Sequence, residues 1–151
     1  MTIEELHDKA MGLSDLGFIS QQRGDSSKAT SFFSQACKFE AKAALTSAEL
    51  NIGQPTVGIL FRSAGTLAGY VGDISEMLSL TQKAIKTNLL PWQIQEFLEL
   101  LNDNKIYVES LDEEIINRLI IDNVLSKSNV NKKEPPISNH YYQKKRKKIN
   151  A

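Results

Sequence analysis

Along the first fifty residues, apolar and small side chains recur at intervals of three and four: Ile3, Leu6, Ala10, Leu13, Gly17 and Ser20, then Ala29, Phe32, Phe33, Ala36, Phe39, Ala43 and Ala44. Each set falls on one face of an α-helix. Thr2 and Glu5 have the spacing of a capping box and predict the start of the first helix. The alanine-rich second set predicts an unusually long helix that reaches Leu50 and is stopped by Gly53. Pro55 suits the first turn of a third helix, which buries Leu60, Ala64, Leu67 and Ala68 and ends at Gly72-Asp73. Asp73 and Glu76 repeat the capping-box spacing and open a fourth helix through Met77, Leu80, Ala84 and Ile85. Pro91 begins a fifth, PWQIQEFLELLND, which buries Ile94, Phe97, Leu98 and Leu101, with Trp92 at the junction. After a short extended piece, Ile106 to Val108, Ser110 and Glu113 predict another capping box and a sixth helix lined by Leu111, Ile115, Leu119 and Val124. No stretch alternates long enough to form a strand, so the predicted class is all-α.

The pattern repeats internally. A shift of 48 residues places Phe61 on Leu13, Gly65 on Gly17, Ala68 on Ser20, Gly72-Asp73 on Gly24-Asp25 and Ala84 on Ala36. Met77 and Thr81 break the match at Ala29 and Phe33. The tripeptide Arg23-Gly24-Asp25 therefore reads as a helix-helix turn rather than an adhesion ligand, because what recurs is Gly-Asp without the arginine. Gly17, Gly24-Asp25, Ala29, Phe33 and Ala36 resemble the signature of a tetratricopeptide repeat, although that family's period is about 34 residues. The surplus lies in the long second helix and its loop. The run from Pro55 to Leu101 is also similar to the core of a group of small bacterial proteins with tetratricopeptide-like helices, a likeness that covers roughly residues 1 to 103. The resemblance implies two helical hairpins with capping helices, and it implies no chemistry.

Charge divides the chain in two. Residues 1 to 125 hold 10 of the 18 basic side chains and 17 of the 18 acidic ones, a net charge of −7, which leaves +7 for residues 126 to 151. The latter segment carries two adjacent prolines and almost no aliphatics, which predicts a flexible basic tail, disordered in isolation, behind a helical domain of residues 1–125. The amino terminus MTIEELHDKA shows no basic and apolar leader pattern, and the single cysteine, Cys37, has no partner for a disulfide, so a cytoplasmic location is expected. No segment is suited to a membrane.

Candidate chemistry is sparse. His7 and His140 are far apart and show no metal spacing, Cys37 sits among apolar neighbours as a core residue does, and the glycines at 65, 69 and 72 lack the GK[ST] of a phosphate loop. Asp112, Glu113 and Glu114 suit the dipole at the start of the sixth helix. No catalytic residue, metal site or cofactor is expected. What the resemblance implies instead is a groove made by the first helix of each pair, lined by Met11, Ser14, Phe18, Gln21 and Gln22, and by Ile59, Arg62, Thr66, Gly69 and Tyr70. Phe18, Arg62 and Tyr70 have the chemistry of an interface hot spot, while burial under the long helix is the alternative for Phe18 and Ile59. The expected function is a protein-binding adaptor. A nucleic-acid-associated accessory protein is the alternative, with Lys144, Lys145, Arg146, Lys147 and Lys148 on phosphates and Tyr141 and Tyr142 stacking on bases. A homo-oligomer is a third reading. Solvation, or folding back on the acidic body, is the plainer reading of the tail, and the spacing of Lys132-Lys133 and Lys144 to Lys148 would also pass for a nuclear import signal.

Overall fold

The computed structural model describes residues 1–106, 112–114 and 117–118. Among them are five helices and no strand: α1 (Ile3–Gln22), α2 (Ser26–Glu49), α3 (Thr56–Val71), α4 (Ile74–Ile85) and α5 (Pro91–Asp103). The all-α class is as the periodicity predicts. The residues expected to line a sixth helix, its Ser110 cap and the basic tail lie outside the described residues. α1 packs along α2, α2 along α3, and α3 against both α4 and α5.

The termini form where the side chains direct them. Thr2 Oγ1 accepts the Glu5 amide at 3.1 Å, and Glu5 Oε2 accepts the Thr2 amide at 2.8 Å, completing the capping box of α1. The two Gly-Asp turns are near copies of one another. Gly24 has φ +78° and Gly72 φ +79°, a conformation open to glycine because it lacks a Cβ. Asp25 and Asp73 each return a backbone N–H bond of 2.9 Å, to the carbonyls of Ser20 and Ala68. Each then accepts, through its carboxylate, the amide three residues on at 3.0 Å. Arg23-Gly24-Asp25 is thus a turn.

α2 ends where expected, with Leu50 as its C-cap, but Asn51 and not Gly53 stops it. Asn51, with φ +52°, takes the left-handed position after Glu49, and Ile52 closes the motif through a 3.0 Å bond to the Ser47 carbonyl. Asparagine tolerates this conformation because its short polar side chain bonds locally, so the helix stops before Gly53. The start of α3 is organised by Gln54, whose Oε1 accepts the Gly58 amide at 2.8 Å while its Nε2 donates to the Thr87 carbonyl at 2.8 Å. At α5, Ile94, Phe97 and Leu101 are buried as predicted, together with Gln93 and Leu100, whereas Leu98 is half-buried.

The two breaks in the repeat have packing counterparts. A Cβ on Gly17 would lie 2.7 Å from the Phe33 ring, so in the first hairpin the missing side chain admits Phe33. Thr81 replaces Phe33 in the second hairpin. There a Cβ on Gly65 would meet Leu100 Cδ2 of α5 at 2.9 Å, so Gly65 marks the approach of α3 to α5, not to α4. Met77 replaces Ala29, and its Cε lies 2.8 Å from where a Gly69 Cβ would stand, so glycine at 69 receives the longer side chain.

Candidate functional site

The expected groove positions separate into a buried and an accessible set. Ser14 is fully buried, and Phe18 and Thr66 are nearly so. These three are packing residues, a correction to their placement on a groove surface, because α1 and α3 carry them into the interior. Phe18 and Tyr70 meet edge to face with ring centroids 5.6 Å apart, and both contact Phe33 of α2, at 5.0 and 5.2 Å. This trio joins α1, α2 and α3. Tyr70 is half-buried, as are Met11, Ile59 and Arg62, whereas Gln21 and Gln22 are exposed.

Arg62 is the focus of the accessible set. Its Nε donates to the Glu96 carbonyl of α5 at 3.1 Å, and a second guanidinium nitrogen donates to Thr66 Oγ1, which itself donates to the Arg62 carbonyl at 2.9 Å. Burial lowers the pKa of the guanidinium, and the charges of Glu96, Tyr70, Glu99 and Asp103 oppose that change. Glu96, Glu99 and Asp103 fall at intervals of three and four, on one side of α5. Burial pushes the Glu96 carboxyl up to about 7, with Arg62 pulling it down and Glu99 pushing it further up. The arrangement is a fixed cation between two helices, bordered by carboxylates, beside an aromatic cluster. It can hold a partner's carbonyls and acidic or basic side chains.

Other groups are less suited to chemistry. Cys37 is buried, its Sγ lies 3.5 Å from the Ala64 carbonyl, and burial, reinforced by Glu76, Asp73 and Glu40, pushes its thiol up to about 12. A thiol so protonated is a poor nucleophile. No cluster of three metal-ligating side chains occurs among the described residues, and no helix among them is long and apolar enough to cross a membrane. Beyond α4, Gln82 Nε2 donates to Asp112 Oδ2 at 3.0 Å and Arg118 donates to the Ile85 carbonyl at 2.7 Å. Asp112 is thus bonded to α4, and Glu113 and Glu114 are helical and exposed. The cleft these residues share with Lys86 and Glu114 has a volume of about 60 Å³, too small for a cofactor-sized molecule. Lys144 to Lys148 lie outside the described residues.

Two features escape a reading of the sequence. Glu96 approaches Arg62 only through the packing of α5 on α3. His7 Nδ1 lies 3.0 Å from both carboxylate oxygens of Glu40 on α2. The signal available for that pair was a carboxylate at a core position, in the series Phe33, Ala36, Glu40 and Ala44. No family model matches the chain, and no curated protein or solved structure does either.

Proposed function

We propose that the chain is a protein-binding adaptor of tetratricopeptide-like architecture, which holds a partner segment on the face carrying Gln21 and Gln22 of α1 and Arg62 and Tyr70 of α3. The observation that carries this reading is Arg62, a cation kept half-buried and pinned to the Glu96 carbonyl on a helix otherwise made of apolar and small residues. A guanidinium pre-oriented in this way loses little freedom when a partner docks. The exposed amides of Gln21 and Gln22 supply donors and acceptors for an extended backbone. Ser14, Phe18 and Thr66 act from inside, by fixing the helices that carry the accessible groups.

The test leaves Tyr70 alone, because its ring belongs to the aromatic trio and its removal would confound folding with binding. Arg62→Met retains the aliphatic stem and removes the charge. Combined with Gln21→Ala and Gln22→Ala, it should leave the helical circular dichroism and the melting temperature close to those of the parent. Proteins captured specifically by the parent chain should be lost or weakened by roughly tenfold or more. Undiminished capture by the folded triple variant would place the binding surface elsewhere.

A second reading, a nucleic-acid-associated accessory protein, is favoured by the division of charge into −7 and +7. Here the Lys144 to Lys148 cluster would contact phosphates while the body docks a protein. Contacts of that kind release counterions, so affinity for a single-stranded oligonucleotide should fall steeply with salt, with a slope proportional to the number of phosphates neutralised. Changing residues 144 to 148 to glutamine in the full chain should remove this binding without altering protein capture. Salt-insensitive binding that survives the substitution would reject the role of the cluster, and absence of binding at low salt would leave the adaptor reading alone.

A further inference from the structure

Glu40 lies on the buried face of α2, one turn after Ala36 and Cys37 and one turn before Ala44, where the spacing calls for an aliphatic side chain. Its side chain is 0% exposed. A buried carboxylate carries a heavy desolvation penalty unless a cation and hydrogen bonds compensate it. Here the compensation reaches across from another helix. His7 of α1 places Nδ1 at 3.0 Å from Oε1 and from Oε2, and its side chain remains 33% exposed, open to proton exchange with solvent.

We propose that His7 and Glu40 form a pH-sensitive clasp, in which proton uptake by the His7 ring fastens α1 onto α2 and proton loss loosens the hairpin that presents Gln21 and Gln22. With the proton on Nδ1, the ring donates to the carboxylate in its neutral and its charged form alike. Deprotonation therefore spares the hydrogen bond and removes the positive charge that offsets the buried carboxylate. The charges that act on the ring are Glu40 and Asp8, both negative, and the Cys37 thiol that Glu40 reaches along α2 stays protonated, while the Lys9 ammonium two residues on lies over the Phe39 ring.

The direction follows from linkage. The hydrogen bond to Glu40 raises the His7 pKa above its ordinary value, burial opposes this, and the charges of Glu40 and Asp8 add to it. A group whose folded-state pKa is raised contributes stability that is complete below its unfolded value, about 6.5 for histidine, and is lost as pH climbs through the folded value. The clasp is thus closed in mild acid and slack in alkali.

Two measurements on the full chain test it. In a His140→Gln chain, His7 is the one imidazole, and its NMR titration midpoint should lie clearly above about 6.5. The melting temperature of the parent should fall by roughly 4 °C or more between about pH 6 and pH 9. Glu40→Gln should lose the part of that fall that belongs to the pair, since its amide accepts the same hydrogen bond without a charge to offset, and keep the shallower slope that Glu96 gives both chains. Glu96 is present in both chains, so its own titration cancels in the comparison. A His7 midpoint at or below the ordinary value, or parallel pH profiles for parent and Glu40→Gln, would overturn the clasp. Should Glu40→Gln fail to fold, the NMR midpoint decides alone, because it requires no change at the pair.

Discussion

Phe33→Ala should destabilise the protein by about 3 to 5 kcal/mol, the range for truncating a buried aromatic side chain. Phe33 is buried, its ring occupies the space left by Gly17, and it contacts both Phe18 and Tyr70. Alanine would remove all three contacts at once and leave a void where α1, α2 and α3 meet, and each aromatic pair adds roughly 0.5 to 1.5 kcal/mol beyond the area buried. Against a total stability on the order of 5 to 15 kcal/mol, the loss is large enough to populate the unfolded state. Phe39→Ala on the same helix is the control. Phe39 is half-buried beneath Lys9, whose Nζ lies 4.8 Å from the ring centroid, so its truncation should cost markedly less. Denaturant unfolding of both variants gives the comparison, and equal losses would remove the trio from its central place.

The second large effect concerns the attachment of α5. A Cβ on Gly58 would lie 2.3 Å from Gln93 Nε2, in a position where Gln93 is almost fully buried. Gln93 Nε2 donates to the Pro55 carbonyl at 2.8 Å, and Gln93 Oε1 accepts the Leu90 amide at 2.9 Å, so this one amide ties the start of α5 to the start of α3. Gly58→Ala would displace it. Overpacking contributes about 1 to 3 kcal/mol, and each buried polar group left unpaired adds about 1 to 3 kcal/mol, so a loss of roughly 3 kcal/mol is expected. Gln93→Ala removes the nearer obstacle as well as the bonds and leaves only Gln54 Oε1 at 2.9 Å, so adding Gly58→Ala to it should cost much less than it does in the parent. Thermal or chemical unfolding of the four chains forms a double-mutant cycle. Additive losses would show that Gly58 and Gln93 do not share the space.

What the linear sequence determines here is local. Capping residues, the Gly-Asp turns and the three-and-four periodicity act over a few residues, so Thr2, Glu5, Asp25, Asp73 and Pro91 could be read as helix boundaries without knowledge of the fold. The copy of one turn at a distance of 48 residues was legible for the same reason: the hydrogen bonds of Gly72-Asp73 close within that turn, as those of Gly24-Asp25 do. Burial is settled at a longer range. Phe18, Thr66 and Ser14 lie inside because α1 and α3 carry them against neighbours that are distant in sequence, and a helix by itself does not specify how far its face is covered. Gly65 faces Leu100, and Gln93 faces Gly58, only because α5 returns to α3. The bond of Arg62 to the Glu96 carbonyl, and the pairing of the His7 and Glu40 side chains, depend on the same long-range packing. A charge has no fixed partner along a flexible chain, and it acquires one when folding withdraws both groups from water and leaves each the other's nearest compensation.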